Sequence, residues 1–168
     1  MVLEDFGLIA IKINKIKDFM SKLLLSDTFD NFYITEGEIT TFNTFKIDGF
    51  IKKDFYEEGT VLNEYSKWGS LRELCYSIIK GKRTPLDFKF IFGLSEQNIE
   101  NLIIKNELNI DAGTVQGLYM NIRYDGSELY CITGTSFKSF TMDKSLENVF
   151  DKMVLKFFSM KDIEFEQK

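Results

Sequence analysis

Histidine is absent from the 168-residue chain. That removes imidazole general acid–base chemistry, Ser-His-Asp and Cys-His nucleophile systems, and zinc sites of mixed Cys/His type. Cysteine is nearly absent too. Cys75 and Cys131 stand far apart in sequence, so neither a CxxC redox pair nor a four-thiolate site can form. Both read as small core hydrophobes without a disulfide. With one proline and 11 glycines, little of the chain suits a flexible linker. No run approaches the roughly 20 apolar residues of a membrane span. The opening "MVLEDFGLIAIKIN" carries acids where a signal peptide needs bases. The expectation is a cytoplasmic protein with no membrane contact.

What the chain does hold is core material. Hydrophobic residues make up 44% and aromatics 15%, with 17 phenylalanines, which supports a packed core and argues against disorder. The length suits a single globular domain over residues 1–168. The formal net charge of −5 argues against wholesale electrostatic binding to nucleic acid or anionic lipid, although a local basic patch remains compatible with it.

Periodicity orders the elements. "FGLIAIKI" alternates through Ile9, Ile11 and Ile13 as a strand, and Ile16, Phe19, Met20, Leu23 and Leu24 then fall on one helical stripe, with Asn14 as N-cap. Two or three strands follow over 31–55, around a turn at Glu36-Gly37-Glu38, with a bend near Asn43. Ser70 and Glu73 read as a capping box for a helix whose inner face is Leu71, Leu74, Cys75, Ile78 and Ile79. Gly81 ends that helix and Pro85 bars its continuation. "PLDFKFIFGL" alternates as a strand, "SEQNIENLIIKN" is a short capped helix, and Asp125-Gly126 marks a hairpin. A further strand is expected after Gly134, then a helix with Leu146, Val149, Phe150, Met153, Val154 and Phe157 inward.

The pattern predicts an α+β fold, a largely antiparallel sheet with four helices. Strand, helix and a run of strands occur at 6–52 and again at 86–142, which suggests halves 6–80 and 86–158, an order also found in processivity-clamp domains. "ITTFNTFKIDG", "IKGKRTPLDFKF", "LYMNIRYDG" and "TGTSFKSFTMDKSLE" resemble an uncharacterised domain-of-unknown-function family of low-GC Gram-positive bacteria, over nearly the whole chain. The resemblance implies a bacterial, cytosolic protein and brings no catalytic residues.

Three groups invite a functional reading. Lys80, Gly81, Lys82, Arg83 and Thr84 form a basic turn that would offer cations to a phosphate, yet cations at a helix C-terminus also offset the macrodipole. Asp48 with Asp87-Phe88-Lys89 has the acids and lysine of a magnesium-dependent nuclease, and Asp87 and Lys89 share a strand face. The same spacing is what any half-exposed strand shows. "TTFNTF" (Thr40, Thr41, Phe42, Asn43, Thr44, Phe45) would make an aromatic and polar surface, or simply supply strand formers with rings for the core. Trp68 reads as a packing residue at a helix entry, and the acidic stretch 54–66, with Tyr56, Glu57 and Glu58, as a mobile loop.

No group completes a reaction. The leading expectation is a non-enzymatic cytosolic binding protein whose partner is another protein. Nucleic-acid association through the 80–84 turn is the alternative, and a magnesium-dependent nuclease the second. No cofactor or metal is expected, and oligomeric state is open.

Overall fold

The strand and helix patterns resolve into one sheet carrying its helices on one side. The computed structural model describes residues 9–168. The strands are β1 (Ala10–Ile13), β2 (Tyr33–Thr40), β3 (Thr44–Asp48), β4 (Asp87–Gly93), β5 (Val115–Tyr124), β6 (Leu129–Phe137) and β7 (Phe165–Gln167). The helices are α1 (Ile16–Leu25), α2 (Trp68–Ile79), α3 (Glu96–Lys105) and α4 (Ser145–Met160). All the strands join in the order β3-β2-β4-β5-β6-β1-β7, and each neighbouring pair is antiparallel. The α+β class is therefore as expected.

The suspected repeat is not a symmetry of this sheet. Exchanging β1, β2, β3 for β4, β5, β6 would turn the neighbours β2 and β4 into β5 and β1, which are not neighbours. β1 instead lies between β6 and β7, far from β2 and β3. Both stretches, 6–80 and 86–158, contribute to the same sheet.

Period-two alternation sends Ile11, Ile13, Phe88, Phe90, Phe92, Ile122 and Cys131 to one buried face. Trp68 of α2 sits on it, its ring 4.9 Å from Phe90 and 5.1 Å from Phe92. Phe29 links Phe92, Phe19 of α1 and Phe158 of α4 at 5.4–6.5 Å. Each such ring contributes roughly 1.5–3 kcal/mol by burial, and each tilted pair about 0.5–1.5 kcal/mol more.

Several local expectations need correction. Glu36-Gly37-Glu38 is the middle of β2, not a turn; the chain reverses at Thr41–Asn43. Gly37 is there to make room, since a Cβ would lie 3.1 Å from Phe90 Cδ1. α2 begins at Trp68, ahead of the supposed capping box, and no side chain caps it. Its first donors go to backbone oxygens instead, Trp68 N–H to Phe32 at 2.9 Å and Gly69 N–H to Asp30 at 3.3 Å. Tertiary contacts took the place that Ser70 would have filled. Likewise Lys15 rather than Asn14 precedes α1, without a side-chain cap. Ser95 does cap α3, accepting from Asn98 N–H. Leu74, expected inward, is exposed. Gly134 lies within β6 and no strand begins between it and α4; the next strand, β7, comes only after α4. The predicted strand start at 6–8 lies outside the described residues.

Candidate functional site

Helices on one face leave the other face of the sheet bare, and register decides what stands on it. One row crosses all the strands: Lys46, Glu38, Lys89, Arg123, Tyr130, Lys12 and Glu166 are successive cross-strand partners. Beside it run Asp48, Glu36, Ile91, Asn121 and Ile132, and on its other side Thr44, Thr40 and Asp87.

A shallow cleft of about 550 Å³ opens along the middle of the charged row. Glu38, Asp87, Lys89, Arg123, Asp125 and Tyr130 line it, with Phe88, Tyr124 and Ile132 contributing apolar surface. Two of the three nuclease candidates, Asp87 and Lys89, thus share one hollow. Lys89 Nζ is 3.1 Å from Glu36 Oε1. Arg123 is exposed and makes no ion pair among the described residues.

The rim of the cleft is tied down. Asp125 Oδ1 accepts from Ser127 N–H at 2.9 Å and Glu128 N–H at 2.7 Å, which closes the hairpin and holds its carboxyl below the usual range. Gly126 takes φ +96°, open to glycine and costly for other residues. Tyr130 donates its hydroxyl to Glu128, and Lys12 Nζ lies 3.2 Å from the same carboxylate. That hydrogen bond raises the Tyr130 phenol, and with Lys12 it lowers Glu128.

Asp48 is elsewhere. Its register partner is Glu36, while Asp87 is level with Thr40 on the far side of β2. Four residues along the strand direction separate the two acids, roughly 13 Å before the strand spacing is added. Asp48 is instead bound to Lys52 Nζ at 2.8 Å and to Phe50 N–H at 3.0 Å, both of which lower its pKa. Asp48, Asp87 and Lys89 are therefore not brought together around one ion. Among the described residues no three or more His, Cys, Asp or Glu side chains are placed to hold a metal.

The basic turn follows α2 directly. Lys80 ends the helix, Gly81 takes φ +140°, and Lys80, Lys82, Arg83 and Thr84 are all exposed. Lys80, Lys82 and Arg83 make no ion pair among the described residues. Pro85 is buried, and Leu86 N–H donates to Thr40 at 2.9 Å, which pins the start of β4. Phe42, expected in the core, is 83% exposed at the β2–β3 turn, where it packs only edge-on to Phe45 at 5.7 Å. Trp68 is buried as expected. The 54–66 stretch is an exposed loop, tied at its base by a Phe50–Tyr65 bridge.

Both cysteines are buried and free. Burial alone pushes the Cys75 thiol up to about 12, and Cys131 moves the same way, so neither offers a thiolate. Sequence reasoning did not single out Arg123 and Tyr130, and it named Glu38 and Asp125 only as turn residues. The "IRYDG" stretch marks the β5 end of the cleft, but its meeting with Glu38 and Asp87 depends on strand order, which no local pattern encodes.

A family of unknown function, DUF5721, matches residues 22–166. The chain belongs to that family. DUF5721 accordingly covers the whole charged row except Lys12. No curated protein and no solved structure matches the chain. Among the described residues of this DUF5721 member, no helix is long and apolar enough to cross a membrane.

Proposed function

We propose that the protein is a non-enzymatic binding protein of the bacterial cytosol that engages another protein through the bare sheet face. The observation that carries this is the row from Lys46 to Glu166, which sets four bases, two acids and a tyrosine across the entire sheet, with Asp48, Glu36 and Asp87 in the rows beside it. A flat surface of both signs complements another protein surface of mixed charge and is a poor match for a polyanion. The cleft on it is shallow and open, which suits a protruding side chain better than an enclosed metabolite. Acidic composition, the family resemblance and unpaired buried cysteines support the bacterial and cytosolic parts of the reading.

The test is affinity capture from native extract with a charge-reversed control. Capture by the wild type that is lost in Lys89→Glu/Arg123→Glu, and kept in Lys82→Ala/Arg83→Ala, supports the reading. Capture that ignores the sheet-face reversal overturns it.

One observation favours a second reading, nucleic-acid association. Lys80, Lys82 and Arg83 are exposed cations on a single turn, free of acid partners among the described residues. Fluorescence anisotropy on labelled DNA and RNA at low and moderate salt decides it. Salt-dependent binding lost in Lys82→Ala/Arg83→Ala would establish that reading.

A further inference from the structure

We propose that Lys89 and Arg123 together form a recognition point for one carboxylate, presented by an acidic side chain of the partner protein. The inference rests on the bare face being the binding face, but the test below does not need the partner in hand.

Lys89 and Arg123 are direct cross-strand partners on β4 and β5. Facing side chains in an antiparallel pair have Cβ atoms about 4.5–5.5 Å apart, and like charges placed so repel. On its other side Lys89 faces Glu38, whereas Arg123 faces only Tyr130, so Arg123 is the less compensated of the two. An anion seated between them turns the repulsion into two charge-assisted hydrogen bonds. Lys89 is already steadied by Glu36 on its other side, at 3.1 Å. Arg123 has no such partner among the described residues, so its planar donor fork is available for a bidentate contact.

The rest of the cleft selects which anion. Glu38, Asp87 and Asp125 also line it, three acids against the two cations. A monoanionic carboxylate adds one charge to that set. A phosphate dianion adds nearly two and meets the same three carboxylates, so it is disfavoured more strongly than a carboxylate. The Phe88, Tyr124 and Ile132 surfaces give the stem of an acidic side chain an apolar rest. The shallow, open cleft also says where the carboxylate comes from: it leaves a free acid largely in water, whereas a partner surface closes it.

The chain holds three arginines, Arg72, Arg83 and Arg123, and each plays a different part in the test. Their Nε–Hε signals are followed by NMR while propionate, propionamide or inorganic phosphate is added. Arg72 is held by Asp30 through both oxygens at 2.8 and 3.0 Å, so its signal reports that the fold is intact. Arg83 is an exposed cation outside the cleft and reports non-specific ion pairing. The expected result is that Arg123 responds to propionate saturably, with several-fold higher affinity than Arg83, and does not respond to propionamide. Lys89→Gln should erase that advantage while Arg72 stays unmoved. Equal titration of Arg123 and Arg83, tighter binding of phosphate than of propionate, or an unchanged Arg123 response in Lys89→Gln would each overturn the proposal. Micromolar propionate binding would overturn the partner side chain as the source, since a free small acid would then fill the cleft unaided.

Discussion

The indole N–H of Trp68 donates to the backbone oxygen of Leu23 at 2.8 Å, both groups out of reach of water. One hydrogen bond thereby fixes the start of α2 against the end of α1, directly over Phe90 and Phe92. Trp68→Phe should keep most of the packing and lose the donor, costing about 1–3 kcal/mol because a buried carbonyl goes unpaired. Trp68→Ala should cost about 3–5 kcal/mol. Urea unfolding followed by circular dichroism compares the two, and equal losses would mean the hydrogen bond contributes nothing.

Asp30 and Arg72 hold the same corner from outside the core. Their bidentate pair is only about one-fifth exposed on each side. Removing either partner should destabilise by about 1–3 kcal/mol, and the double mutant should lose much less than the sum of the singles. Additive losses would show that the pair is not coupled.

Gly37 is the point where β2 yields to the Phe90 ring. Gly37→Val should destabilise by about 1–3 kcal/mol through overpacking. Phe90→Leu in the same chain should recover part of that loss, measured as the change in denaturation midpoint. A double mutant less stable than Gly37→Val alone would refute the steric account.

Asp151 supplies a pH dependence. Burial pushes its carboxyl up to about 6, Glu147 one turn away adds to the rise, and the hydrogen bond from Thr133 opposes it. A folded pKa above the unfolded 3.8 means that the native state holds the proton longer. The stability this contributes is present below pH 3.8, declines as pH rises to about 6, and is gone above that. Asp151→Asn should therefore raise the melting temperature relative to wild type at pH 7, and the gain should shrink toward pH 4. A gain that is constant across the range would remove the ionisation from the explanation.

Cys75 and Cys131 should resist a thiol reagent in the native protein at pH 8 and react fully in denaturant, because both are buried with raised pKa values. Rapid native labelling of either would contradict the packing described.

Local chemistry was legible where it acted alone. The alternation of Phe88, Phe90 and Phe92, the stripes of α1, α3 and α4, and the Ser95 cap all depend on neighbours in sequence. The errors fall where distant residues intervene. Gly37 resembled a turn glycine, but its reason is a ring on β4. Ser70 resembled a cap, but Phe32 and Asp30 had already taken the donors. For the site, spacing placed Asp87 and Lys89 on one face, whereas Arg123 and Glu38 join them only through the order of strands. Asp48 was grouped with Asp87 by chemistry, and register separates them.

That strand order also sets a timetable. β1 pairs with residues 129–132 and with the strand at 165–167, and with no strand closer along the chain. While the ribosome is still delivering the middle of the protein, β2, β3 and β4 can already align, yet Ile11 and Ile13 have no seat. Their partners on β6, Cys131 and Leu129, lie more than a hundred residues further along. The closing of the sheet thus waits until residues 129–132 and 165–167 have been made, and it joins stretches that lie far apart along the chain.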